Sequence, residues 1–98
     1  MLEKIAEVIE KFRLKPSDLK IYYLLVGKHM SASEIAKELK LSSRFVRERL
    51  KDLYSKGILK RTIIVKGWIG YVYTAEDPQI VLKKIKNQIL SELSKLEN

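Results

Sequence analysis

Apolar residues recur along this chain at two different spacings, and the change from one to the other divides it. Up to Tyr54 the spacing is helical. Leu2, Ile5, Ile9 and Phe12 repeat at three, four and three residues with charged residues between them, which predicts an amphipathic helix over residues 1–14. Pro16 interrupts the pattern, and Ser17 is placed to cap a second helix from Asp18 to about Val26 that Gly27 would end. Leu19, Ile21, Tyr22, Leu24, Leu25 and Val26 make that segment apolar on more than one side, so it reads as the central core helix.

Residues Ser31 to Gly57 read as two helices joined by a very short connection. Ser31 and Glu34 have the spacing of a capping box, in which the serine oxygen meets the Glu34 amide and the Glu34 carboxylate returns to the serine amide. Ile35, Ala36 and Leu39 then supply an apolar face, and Leu41 sits in the connection, where it can pack between the helices. Ser42 caps the second helix, which runs to Lys56 and stops at Gly57, a residue suited to the left-handed conformation that closes a helix. Val46, Leu50, Leu53 and Tyr54 define its buried side. At about 100° per residue, Arg44, Arg47, Glu48, Lys51 and Ser55 fall roughly opposite.

After Gly57 the period shortens. Ile58 to Val65 and Trp68 to Thr74 are rich in β-branched and aromatic residues, with Lys66-Gly67 between them, which predicts a β-hairpin with a tight turn. Tyr71 and Tyr73 share one face, expected to return that strand to the core; Trp68 is expected to pack across the hairpin on Val65, the alternative being a wedge into a base step or a stacking platform. Asp77-Pro78 opens a last helix over 77–97 as N-cap and first residue. On it Leu82, Ile85, Ile89, Leu93 and Leu96 form a seam close to that of a coiled coil. A rod of this kind exposes apolar surface unless it finds a partner. A homodimer through these five residues, supported by the N-terminal helix, is therefore expected; the alternative is a monomer with the rod folded back. The predicted fold is mainly α with a small β-hairpin: one 98-residue winged helix-turn-helix domain, with its core at 17–75 and dimerisation helices at both ends.

Charge sharpens this picture. The net charge is +8, and Lys37 to Lys66 carries ten Lys/Arg against Glu38, Glu48 and Asp52, while the remainder is nearly balanced. An excess gathered on one motif points to a polyanion-facing surface. A short capped helix with arginines near its start is what the DNA major groove accepts, since the planar guanidinium pairs bidentately with guanine or clamps a phosphate. Lys60, Arg61 and Lys66 on the hairpin could then lie along the phosphate backbone or enter a minor groove, fixing position more than reading sequence. The bland alternative is a solvated helix face and a charge-protected edge strand.

Other classes are disfavoured. There is no cysteine, no paired-carboxylate arrangement in an apolar setting, no nucleophile with a base and no glycine-rich phosphate loop, so neither an enzyme nor a metal or cofactor site is expected. His29, in a predicted loop, reads as a surface residue. No apolar run approaches the roughly 20 residues of a membrane span, and the start of the chain is amphipathic rather than a signal peptide, so a cytoplasmic, nucleoid-associated protein is expected.

The order of elements, together with SASEIAKELKLSSRFVRERLKDLYSKGILKR, resembles the archaeal and bacterial winged-helix transcription regulators of the MarR and TrmB kinds over residues 17–75. The resemblance implies a dimer on double-stranded DNA, with Ser42, Ser43, Arg44, Arg47 and Lys51 as the DNA-facing positions of the recognition helix and Lys60, Arg61 and Lys66 in the wing. The Asp-x-Arg wing motif of MarR-like members is missing, so base-specific or minor-groove readout by the wing is not implied. The effector domain of TrmB-type regulators is missing too, so a small-molecule effector is not implied. A minimal dimeric regulator, an architectural chromatin-associated protein of little sequence specificity and a winged-helix protein-interaction module are the functions left to separate.

Overall fold

The computed structural model describes Glu3 and residues 14–96, so the helix expected over 1–14 falls almost wholly outside the described residues. The elements are α1 (Pro16–Leu24), α2 (Ala32–Leu39), α3 (Ser43–Ser55), β1 (Leu59–Val65), β2 (Ile69–Ala75) and α4 (Pro78–Leu96). Lys15–Glu76 is one compact unit and α4 belongs to another.

α1 starts earlier than its expected serine cap. Pro16 has no amide proton to satisfy and its fixed φ suits the first helical position, while the Asp18 carboxylate accepts the Lys15 N–H at 2.9 Å. Ser17 therefore lies inside the helix. Nor is α1 a central helix: only Ile21 and Leu25, one turn apart, are buried apolar residues here, whereas Leu19, Tyr23 and Val26 fall on the outer side and are exposed.

The helix-turn-helix forms as its local chemistry requires. The Glu34 amide donates to Ser31 Oγ at 3.2 Å and the Ser31 amide donates to Glu34 Oε1 at 2.9 Å. The Phe45 amide donates to Ser42 Oγ at 3.1 Å, so Ser42 caps α3. Both helices close by the same device, in which amides just past the end turn back on the last carbonyls. The Leu41 amide reaches the Ala36 carbonyl at 3.0 Å after α2, and the Ile58 amide reaches the Leu53 carbonyl at 3.0 Å after α3. This device needs one left-handed residue. After α3 it is Gly57, at φ 75°, but after α2 it is Lys40, at φ 56°.

β1 and β2 pair antiparallel from Leu59↔Ala75 to Val65↔Ile69, which leaves a three-residue turn, Lys66-Gly67-Trp68, rather than a two-residue one. The common two-residue hairpin turns require positive φ at both central residues or at the first, which here would be Lys66. Only Gly67 supplies it, at φ 68°, and the Lys66 amide closes the turn on the Trp68 carbonyl at 2.9 Å. Trp68 is thereby a turn residue, its ring lying over Gly70, where a side chain would overlap the ring atoms Cζ3 and Cε3. The inner face of β2 is also the opposite of the expected one. Val72 and Thr74 are buried, with Thr74 Oγ1 donating to the Leu25 carbonyl at 3.2 Å, while Tyr71 and Tyr73 look outward. Met30 forms an isolated antiparallel bridge to β2, exchanging hydrogen bonds of 3.0 and 2.8 Å with Tyr73.

The core under the helix-turn-helix comprises Ile21, Leu25, Ile35, Ala36, Val46, Leu50, Leu53, Ile58, Leu59 and Val72. In the other unit, Asp77 Oδ1 accepts the Gln79 amide at 2.7 Å and starts α4. On α4, Val81, Ile85, Ile89 and Leu93 are half-buried, and Leu82, also in the predicted seam, is 65% exposed.

Candidate nucleic-acid interface

α3 has two faces with opposite electrostatic fates. Val46, Leu50 and Leu53 point inward, and beside them Arg49 is drawn into an ion network that the sequence alone did not reveal. Its guanidinium donates to both oxygens of the fully buried Asp18, at 2.7 and 2.9 Å, and to Asp52 at 2.8 Å; Asp52 in turn meets Lys56 Nζ at 2.8 Å. The Asp18 hydrogen bonds outweigh partial burial and hold Arg49 still more firmly in its charged form. Partial burial alone would raise Asp52, but Lys56 and Arg49 together hold its carboxyl below the ordinary aspartate value. This network neutralises two of the cations, Arg49 and Lys56, that contribute to the motif's excess.

The opposite face keeps its charge. Ser42, Ser43, Arg44, Arg47, Glu48 and Lys51 are all exposed. The Arg44 side chain, 93% exposed, meets Glu48 only at 3.8 Å, a spacing and a setting in which the pair adds little. Arg44, Arg47 and Lys51 are three and four residues apart, so they form one ridge along the helix. Tyr54, expected inward, lies beyond the Val46–Leu50–Leu53 stripe and is exposed.

What covers Tyr54 in part is the wing. Arg61 is sandwiched between two rings, its Cζ 3.9 Å from the Tyr54 centroid and 4.1 Å from that of Tyr71. Tyr71 lies in the same hairpin as Arg61, so it is the Tyr54 face on the guanidinium that ties the wing to α3. Lys60 and Arg61, grouped together in the sequence, point to opposite sides because side chains alternate along a strand. Lys60 faces away, with Glu76 Oε1 at 3.9 Å, and Lys66 projects from the turn. Between Leu53 and Ala75 there is no Asp or Glu at all, so the wing carries Lys60, Arg61 and Lys66 without opposing charge of its own.

Arg47 and the outer face of the hairpin enclose a cleft of about 650 Å³ with the start of α2; Ser31, Ser33, Ile63, Trp68, Ile69 and Tyr71 are among its walls. Alternation along the strands, with the register set, would have placed Ile63, Ile69 and Tyr71 together; nothing local would have placed them opposite Arg47.

No protein-family model and no curated protein matches this chain. Solved structures do. A protein named as a possible transcriptional regulator of Methanosarcina mazei superposes with a TM-score of 0.75 at 22% identity, covering 95% of this chain and 82% of the other. The ST1889 protein of the thermoacidophilic archaeon Sulfolobus tokodaii gives 0.62 at 26% identity, covering 97% and 92%. The homodimeric winged helix-turn-helix DNA-binding domain of Mb0332 from Mycobacterium bovis, a possible ArsR-family regulator, gives 0.58 at 16% identity, covering 99% and 86%. The fold is a winged helix-turn-helix, mainly helical with one two-stranded hairpin.

Proposed function

We propose that this protein is a transcriptional regulator that binds duplex DNA as a homodimer. α3 enters the major groove and presents Ser42, Ser43, Arg44, Arg47 and Lys51 to bases and phosphates. Lys60 and Lys66 engage the backbone from the wing, and Arg61, clamped by its two tyrosines, keeps the wing at a constant angle to α3 and adds to the local positive field. The carrying observation is the exposed Arg44–Arg47–Lys51 ridge beside a hairpin free of carboxylates. The solved neighbours named as regulators, and the homodimeric DNA-binding domain among them, support the same reading. Leu82, Ile85, Ile89, Leu93 and Leu96 are proposed as the dimer seam.

A salt titration of DNA affinity by fluorescence anisotropy tests it. Three or four phosphate contacts per protomer predict a log–log slope of roughly −3 to −4 for each half-site engaged. A protein-interaction module would show little affinity for DNA even in dilute buffer.

A further inference from the structure

The tip of the wing does not look like a phosphate-binding hairpin. Val65 and Ile69 face each other as the last cross-strand pair and are 69% and 78% exposed, and Trp68, 52% exposed, covers the opposite side of the tip with its ring on Gly70. Ile63 and Tyr71 continue the Val65–Ile69 face toward the cleft, both exposed. Contiguous apolar surface of this kind calls for an occupant. The single charge on the turn is Lys66, and the tip is held in shape by the Lys66–Trp68 turn bond and by the seat of the indole on Gly70.

Resting on the DNA-binding reading, we propose that Val65, Trp68 and Ile69 form an apolar wedge that enters the minor groove next to the one occupied by α3 and partly unstacks one base step. Charge complementarity selects this occupant. An apolar tip that carries Lys66, with no carboxylate on the hairpin and Arg47 across the cleft, matches a partner whose outside is anionic and whose interior is apolar, and base pairs between two phosphate strands have that make-up. Geometry agrees with it. In duplex DNA the major and minor grooves are separated by a single phosphate strand. The cleft between Arg47 and the wing, bordered by the hydroxyl residues Ser31 and Ser33, provides a seat for that strand, with α3 on one side and the tip on the other. Wedges built from Ile and other bulky apolar side chains kink the duplex, and the cost is least at flexible pyrimidine–purine steps.

Trp68 is the chain's only tryptophan, so its emission reports on the tip alone. The full chain is titrated at low salt with a duplex of about 25 base pairs carrying a central TA step and 2-aminopurine beside it. Anisotropy reports binding, acrylamide quenching reports Trp68 access and 2-aminopurine emission reports unstacking. At saturation acrylamide quenching of Trp68 is expected to fall about threefold and 2-aminopurine emission to rise about threefold. Ile69→Ser, at an exposed position, is expected to abolish that rise and to weaken binding by about tenfold, and replacing the TA step by a stiff A-tract to weaken it comparably. DNA bound by anisotropy with Trp68 access and 2-aminopurine both unchanged overturns the wedge and leaves the DNA reading standing. Shielding of Trp68 without unstacking overturns it as well, the tip then lying on the backbone; shielding that appears without DNA as protein concentration rises assigns the tip to a second copy instead. Absence of any anisotropy change removes the DNA reading itself.

Discussion

Lys60 and Arg61 are adjacent, alike in charge and placed in opposite circumstances, because one residue along a strand reverses the direction of a side chain. The same reasoning separates the remaining cations by what they can touch. Arg44 stands near the start of α3, where a recognition helix meets base edges, whereas Lys66 is a flexible point charge on a turn. Arg44→Ala is expected to relax sequence preference at a cost of roughly 1–3 kcal/mol, and Lys66→Ala to weaken all sequences alike; a panel of duplexes titrated against both variants checks it. Equal losses on every duplex from both would move the protein toward an architectural role. A second residue carries a stability prediction. Lys40 adopts φ 56°, which costs a residue with a Cβ roughly 1 kcal/mol, part of which glycine would return as entropy of the unfolded chain. Lys40→Gly is expected to raise stability by about 0.5 kcal/mol, or some 2–4 °C in melting temperature.

Among the elements, the decisive joint is between α1 and α3, made by Asp18 and Arg49 across 31 residues of sequence. A buried carboxylate facing a guanidinium is a weak source of net stability but a costly one to break. Asp18→Ala is expected to destabilise the unit by about 3 kcal/mol in urea unfolding, the loss being tempered because Arg49 keeps Asp52. DNA affinity of the folded fraction should be unchanged, since the network lies on the reverse side of α3 from Arg44. Acid should loosen the same elements. The Ser31 backbone amide, and then its hydroxyl, hold the Glu34 carboxyl below its ordinary value, and Lys56 with Arg49 does the same for Asp52 against partial burial. A folded-state value below the unfolded one means stability that is fully present above the unfolded carboxylate pKa of about 4 and lost as pH falls through the lower folded value. Melting temperature should therefore be flat from neutral pH to about 5 and decline below about 4, and Glu34→Gln should remove part of that decline. The Ser31–Glu34 cap behind the first of these effects was legible in the sequence because it is an exchange between residues three apart. The start of α1 was not, because Pro16 and Asp18 together compete successfully with Ser17.

For the assembled protein, the proposal is two recognition helices held apart by α4. Ile85 and Ile89 are half-buried and one turn apart, so Ile85→Asp with Ile89→Asp is expected to reduce the particle from a dimer to a single 11.4 kDa chain in sedimentation equilibrium. Losing the second half-site should weaken binding to a two-site duplex by about a hundredfold while leaving binding to one half-site intact. A wild-type chain that sediments as a monomer at micromolar concentration would return α4 to the folded-back alternative.

Local spacing alone determined that there is a helix-turn-helix, where α2 and α3 begin, that α3 stops at Gly57, that a hairpin follows and that a capped apolar rod comes last. Each of these rests on interactions a few residues long, which no docking can rearrange. Only the packed structure decided which face of β2 is buried, that Arg49 is drawn to Asp18 while Arg44 stays exposed, and that Tyr54 and Tyr71 close on Arg61 beside an apolar wing tip. Those outcomes depend on which surfaces meet across 7 to 49 residues of chain, and a pattern of spacing holds no information about the partner until the elements have come together.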